Sequence, residues 1–383
     1  MTEDDQRPIV QFLDSKKAES GIYHQDKIYR TSKSLSFFMD KNLTCWKHAD
    51  FLDEEKCNYL YLYTSGAPLS SFSENELEFE QISRLLESHR LAAITSKINL
   101  GTASFYDVIP PAHLMAWFRV RSKALQLISE RVKKPDNYDI LHKIHVVTSE
   151  MSGNPVSFSG EKKKIEYNIF GSATGRLAHA PGSFPILNLN KNQRQQVVPK
   201  NDLFLELDLN GAEIRTLLSY SGQEQPQYDI HDFNKRVLRL QNATRQEVKS
   251  RFFAWLYNPD AEDRYLEKFY DKAVFKKYYK NNMIRTPFGR SIEVDHRKAL
   301  NYLTQSTTSD IVLNNAYQIM KLLSHRRSFL AFTMHDSVVL DFAKEDHDMV
   351  HQIKEVFEKN CLGKFLSNLK IGKSFGKMKE IKL

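Results

Sequence analysis

Two aspartates in strand-like surroundings, with a basic helical segment between them, are the residues of this chain best placed to do chemistry. Asp208 follows Leu203-Phe204-Leu205-Glu206-Leu207, and Asp336 lies in Phe332-Thr333-Met334-His335-Asp336-Ser337-Val338. Carboxylates fixed on rigid strands can hold divalent cations, and two-metal phosphoryl transfer needs a pair of such ions roughly 3.5–4 Å apart. Between the acids, Arg245, Lys249, Phe253 and Tyr257 recur at four-residue spacing. A four-residue step advances a helix by about 400°, so these side chains form one slowly drifting stripe. Two cations a turn apart match a polyphosphate tail, the next aromatic can stack on a base, and Tyr257 can border the base pair. Acids and cations together meet the requirements of nucleotidyl transfer. Either alone has a plainer reading, since an Asp at a hairpin tip commonly serves the turn and a basic stripe is commonly a solvated face.

The elements that must carry these residues can be read from periodicity. Leu203, Leu205, Leu207 and Leu209 alternate with Phe204, Glu206 and Asp208, which predicts a half-buried strand with Asp208 near its C-terminal end. Asn210-Gly211 then turns the chain into a helix from about Ala212. Residues 231–285 read as mostly helical, Pro287-Phe288-Gly289-Arg290 as a turn, and 296–323 as a long helix. Residues 329–342 predict a β-hairpin with His335-Asp336 at its tip. Upstream, Leu77, Phe79, Ile82, Leu85 and Leu86 mark a helix over 74–94. Pro110-Pro111 opens another, to about Val132, with Arg119, Arg121, Lys123 and Arg131 along its basic edge. A third begins at Pro135-Asp136-Asn137 and runs to about Ser149. Residues 1–65 carry no clear pattern.

The chain has 383 residues and a formal net charge of +8, enough for two or three subdomains and a balance that favours polyanion partners. Its 3 cysteines, Cys45, Cys57 and Cys361, form no CxxC pair and no disulfide framework, which points to a reducing compartment. No apolar run approaches the roughly 18 residues of a membrane span, so no membrane partner is expected. Gly372-Lys373-Ser374 fails as a phosphate-binding loop because Ser367 stands where the first glycine belongs.

Taken in order, these segments resemble the family A DNA polymerases, the group of bacterial DNA polymerase I and many phage replicases. Asp208-Leu209-Asn210-Gly211-Ala212-Glu213-Ile214-Arg215 looks like motif A, Arg245-x3-Lys249-x3-Phe253-x3-Tyr257 like motif B, and Met334-His335-Asp336-Ser337 like motif C. Ala173-Thr174-Gly175-Arg176-Leu177, Asp229-Ile230-His231, Thr286-Pro287-Phe288-Gly289-Arg290 and Arg297-x3-Asn301-x3-Gln305 resemble further family segments in the family's order. The resemblance covers about 165–342. It implies an α+β, right-hand polymerase with an antiparallel-sheet palm, helical fingers and a helical thumb. The expected layout is an N-terminal segment at 1–65, thumb at 66–165, palm at 166–220 and 286–383, and fingers at 221–285.

The resemblance also implies roles. Asp208, Asp336 and the Leu209 carbonyl would hold two Mg²⁺ ions, with Mn²⁺ as a substitute. Arg245, Lys249 and His231 would neutralise the triphosphate of a dNTP, with Lys249 as proton donor to pyrophosphate. Phe253 and Tyr257 would meet the base, and Glu213 would exclude a 2′-hydroxyl. Arg176, Arg290, Arg297, Asn301, Gln305 and His335 would lie along primer-template DNA. No strand carries the Asp-x-Glu of a proofreading exonuclease, so a separate exonuclease or processivity factor is an expected partner. The expected location is the cytoplasm of a bacterium or of a phage-infected host. The chain departs from the family's usual pattern at Ser337, where motif C carries Glu, and at Ala254 and Asn258, where motif B carries Gly. Two alternatives stand beside this reading: a related single-subunit RNA polymerase or primase-like enzyme, and a non-catalytic primer-template accessory.

Overall fold

The computed structural model describes residues 9–13, 19–30, 45–48, 64, 67–100 and 103–382. The chain divides into two compact units, Met1–Tyr138 and Asp139–Leu383. The division falls within the stretch 66–165 that the sequence groups together. Among the described residues no helix is long and apolar enough to cross a membrane.

The first unit contains strands where the sequence shows no pattern. Strands β1 (Ile9–Leu13), β2 (Glu19–His24), β3 (Lys27–Tyr29) and β4 (Cys45–His48) form a sheet in the order β3-β2-β1-β4. Helices α1 (Glu76–Thr95) and α2 (Pro111–Arg131) share its core, where the Phe12 and Phe118 rings stack 4.8 Å apart. Asn75 caps α1 by accepting from the Glu78 N–H at 3.2 Å. The buried face of α1 is Phe79, Leu86 and Ala93, while Leu77, expected on that face, is 70% exposed. Arg121, expected on the basic edge of α2, is buried. Arg119 lies outside and pairs with Asp26 at 3.0 Å. Cys57 and residues 49–63 lie outside the described residues.

The second unit is built on one antiparallel sheet. Strands β5 (Leu203–Leu209), β6 (Phe329–Met334), β7 (Ser337–Phe342), β8 (Ser367–Gly372) and β9 (Lys379–Ile381) lie in the order β6-β7-β5-β8-β9. The register places Asp208 opposite Ser337 on one side and Asn368 on the other. Cross-strand partners share a face. Leu205 and Leu207 therefore group with Val338, Leu340 and Leu369, all buried. The opposite face is not uniformly polar as the alternation suggested. Phe204 is 0% exposed, closed over by Phe332, whose ring lies 5.8 Å away. The polar part of that face begins only at Glu206.

Helices α3 (Tyr138–Gly153), α4 (Ala212–Tyr220), α5 (Ile230–Val237), α6 (Arg245–Tyr257), α7 (Ala299–Leu322) and α8 (Val350–Glu358) complete the architecture. In α7 two buried hydroxyls find partners across the core: Thr307 with Tyr220 at 2.7 Å and Thr308 with Thr216 at 2.9 Å. The expectation of helix through 231–285 fails after Tyr257. Short 3-10 turns at Leu266–Lys268 and Lys272–Lys277 lead into a small sheet of Tyr279–Lys280, Met283–Arg285 and Ser291–Glu293. Asn281 and Asn282, with φ of 52° and 58°, form its two-residue hairpin loop. Asn tolerates this left-handed region better than most residues, and such loops match the twist of paired strands. Tyr270, Val274 and Phe275 still reach the core beneath α6, but through irregular chain.

Candidate active site

The ladder brings the two aspartates together. Asp208 ends the polar row of β5, and Asp336 occupies the two-residue turn between β6 and β7. The Leu209 N–H donates to the Asp336 carbonyl at 3.2 Å, tying the turn to the end of β5. His335, exposed at the tip, takes a left-handed φ of 48°. Burial pushes the Asp208 carboxyl up to about 7, and the neighbouring Asp336 charge adds to the rise. Lys370 and Arg245 oppose it, while Glu206 reinforces it. Burial and the nearby Asp336 both disfavour a bare negative charge on Asp208, a penalty that a divalent cation would relieve. Among the described residues no group of three or more His, Cys, Asp or Glu side chains converges as a metal cluster, so the pair is the donor set on offer.

The turn after β5 is fixed by a knot of buried polar groups. Gly211 has φ 62°, and a Cβ there would fall 2.4 Å from Ile230 Cγ2, so the turn needs glycine for both reasons. Asn210 accepts from the Ile230 N–H at 2.8 Å and donates to Asp229 Oδ2 at 2.7 Å. Buried Arg215 donates to the Asn210 carbonyl at 2.8 Å, to the Pro226 carbonyl at 3.0 Å and to the Tyr228 carbonyl at 2.8 Å. Asp229 caps α5 through the His231 N–H at 2.7 Å and meets Arg245 at 3.5 Å. Burial alone would raise Asp229, but Asn210, the His231 N–H and Arg245 together hold it below the usual carboxylate range. Asn210, Arg215 and Asp229 thus connect the strand bearing Asp208 to the first cation of α6. Sequence reasoning quoted all three inside motifs and gave none of them this role.

The stripe on α6 forms as its spacing requires. Thr244 and Glu247 make a capping box at its start. Val248, Phe252, Trp255 and Leu256 are buried on one side, while Arg245, Lys249 and Tyr257 stay exposed. Lys249 Nζ lies 5.9 Å from the Phe253 ring centroid, and Phe253 stacks on Tyr257 at 5.4 Å. The helix stops at Tyr257, with Asn258 extended at its C-terminal cap. His231 is 3% exposed and its Nδ1 has no hydrogen-bond partner. Burial, assisted by the Arg245 charge, drives its pKa down to about 4, so the ring is neutral near pH 7.

A second cluster surrounds Glu213. Tyr257 donates to Glu213 Oε2 at 2.7 Å, and Arg176 pairs with Glu213 Oε1. Gln305 bonds Tyr257 and donates to Asn301 Oδ1 at 2.8 Å. Residues read from four separate segments therefore meet as one chain of hydrogen bonds. Arg297 does not join it and pairs instead with exposed Asp260 at 2.7 Å. Arg290, expected beside DNA, is 8% exposed, and its Nε donates to buried Asp310 at 2.8 Å. A Cβ on Gly175 would meet the Arg290 guanidinium carbon at 2.6 Å, and Ser309 donates to the Gly175 carbonyl at 3.0 Å. Arg290 therefore underlies the turn that presents Arg176. Its pattern in sequence is that of a surface turn, and only the distant Asp310 reveals the difference.

No family model matches the chain, and no curated protein matches it. Among solved structures, the chain is similar to the POL domain of Pol1 from M. smegmatis in complex with DNA primer-template and dNTP. The two share 15% identity at a TM-score of 0.48, over 80% of this chain and 66% of that one. The chain thus spans just under two thirds of that structure's length, and the likeness is too distant to assign either fold or activity.

Proposed function

We propose that this protein is a template-directed DNA polymerase that adds dNTPs to a primer 3′ end by two-metal-ion nucleotidyl transfer, without proofreading of its own. The observation that carries the reading is the convergence of Asp208 and Asp336 at one end of a sheet whose turn is hydrogen-bonded, through Asn210 and Asp229, to the cation stripe of α6. In this reading residues 166–220 and 286–383 form the palm, 221–285 the fingers and 66–165 the thumb.

Asp208, Asp336 and the Leu209 carbonyl would hold Mg²⁺, for which Mn²⁺ would substitute. Bound there, the ions would supply Lewis-acid activation of the primer hydroxyl and charge neutralisation at the phosphates. Arg245 and Lys249 take up the charge that builds on the leaving pyrophosphate, and Lys249 donates its proton to it. His231, neutral in the free chain, offers a hydrogen bond to the triphosphate. Phe253 packs on the incoming base, and Tyr257 borders the nascent pair. Glu213, restrained by Tyr257 and Arg176, lies against the sugar and excludes a 2′-hydroxyl. Arg176, Asn301 and Gln305 follow the duplex end in the minor groove, where acceptors common to all base pairs permit shape checking without sequence choice. Arg297 and His335 approach the DNA from exposed positions, and Arg290 supports Arg176 from below.

A labelled primer-template with Mg²⁺ and either dNTPs or NTPs tests the reading. Extension with dNTPs, abolished by Asp208→Ala with duplex binding retained, is the expected result. Preferential use of NTPs would transfer the assignment to an RNA polymerase, for which Ser337 speaks. Duplex binding without turnover would make the protein an accessory clamp.

A further inference from the structure

The polar row on the Asp208 face holds a cation that none of the roles above uses. Glu206 and Asp208 share this face of β5, and the register sets Lys370 opposite Glu206 and Asn368 opposite Asp208. Lys370 Nζ reaches Glu206 Oε2 at 3.3 Å. The other Glu206 oxygen lies 3.4 Å from the Ser337 hydroxyl, on the strand that begins just after Asp336. Glu206 is thus engaged at both oxygens and keeps the Lys370 ammonium one strand rung from Asp208.

We propose that Lys370 is a resident counter-ion of the aspartate centre, tethered by Glu206, and that this pair sets how tightly the centre holds a divalent cation. The inference rests on the metal-binding reading of Asp208 and Asp336 given above. Three carboxyl groups, Glu206, Asp208 and Asp336, together with the Lys370 ammonium set the electrostatic potential of this face. Removing the ammonium deepens that potential, and removing the Glu206 charge makes it shallower. Each change acts across a partly exposed surface, where water-like screening leaves a unit charge roughly 7 Å from a divalent ion with about a tenfold effect on affinity. A pair that merely fastened β5 to β8 would show no such antisymmetry. Breaking it from either side would loosen the sheet in the same sense.

The experiment measures Mn²⁺ binding to the full chain, without DNA or nucleotide, from the electron paramagnetic resonance signal of the free ion. Lys370→Met should tighten binding about tenfold and Glu206→Gln should weaken it by a similar factor. The double variant restores the wild-type net charge and should return to within about threefold of wild type. Lys370→Arg, which keeps the charge, should bind as wild type does, and circular dichroism melting verifies folding of each variant. Shifts of the same sign in both single variants, or no shift in either, would overturn the proposal. So would failure of both wild type and Lys370→Met to bind Mn²⁺. If Asp208→Asn binds Mn²⁺ as tightly as wild type, the metal assignment itself falls and takes this inference with it. Antisymmetric shifts that vanish in Asp208→Asn establish both.

Discussion

The acids and the cations of the second unit are held in opposite ways. Asp208 belongs to the central strand of a five-stranded sheet, hydrogen-bonded along both edges, and Asp336 is tied to the end of that strand by a backbone bond. Their positions are set by main chain. Arg245 and Lys249 project from the exposed side of α6, whose opposite side is packed through Val248, Phe252, Trp255 and Leu256. Of the two, Arg245 has an ion-pair partner in Asp229, at 3.5 Å. In the proposed polymerase this contrast would separate two tasks: a rigid element would fix geometry where bonds change, while long side chains on a helix would capture a flexible tail.

Breaking the rigid half should have the largest effect. Asp208→Asn or Asp336→Asn should lower primer extension by about a thousandfold or more in a single-turnover gel assay, with duplex affinity nearly unchanged. Residual activity within tenfold of wild type would remove the acids from the chemistry. On the helical half, Arg245→Ala or Lys249→Ala should cost about a hundredfold in kcat/KM for dNTP. The share carried by KM should be larger than in the aspartate variants, which steady-state kinetics will separate.

His231 sharpens the comparison through pH. Its folded pKa near 4 lies below the ordinary value of 6.5, so the unfolded chain binds the extra proton first as pH falls. Stability that is fully present at pH 7 is therefore lost between about pH 6.5 and 4, amounting to about 2 kcal/mol by pH 5. Thermal melts at pH 7 and pH 5 should show a smaller difference for His231→Gln than for wild type. An equal difference in both proteins would show that the buried ring is not the group responsible. The smallest effect is expected at the joint between the halves. Tyr257→Phe removes one of two restraints on Glu213 and should relax dNTP-over-NTP discrimination by only a few-fold, about 1 kcal/mol. Glu213→Ala should relax it further. Unchanged sugar selectivity in Glu213→Ala would move the gate elsewhere.

Elements with strong local periodicity were legible in the sequence. The strand at 203–209, the hairpin with His335-Asp336 at its turn and the α6 stripe all lie where alternation, turn residues and capping place them. Local signals fail where distant chain decides the outcome. Phe204 reads as a solvent-facing alternate residue until Phe332 covers it. Arg290 reads as a turn cation until Asp310, 20 residues on, draws it inward. The Glu206–Lys370 pair spans 164 residues and depends on a strand register that no short window contains. The irregular stretch after Tyr257 packs its aromatics without a repeat, so a helical expectation had nothing local to contradict it. The β1–β4 strands, some of them only 3 or 4 residues long, are too short to announce themselves by alternation.

The order of the central sheet has a consequence for how the protein is made. A ribosome completes the Asp208 strand well before either of its neighbours exists, since the residues that flank Glu206 arrive 131 and 164 positions later. Until then the nascent strand exposes two unsatisfied edges rich in leucine, a hazard for aggregation during synthesis. A premature stop codon ahead of Ser367 would leave one of those edges open permanently, so loss of a distant downstream segment would expose the strand that carries Asp208.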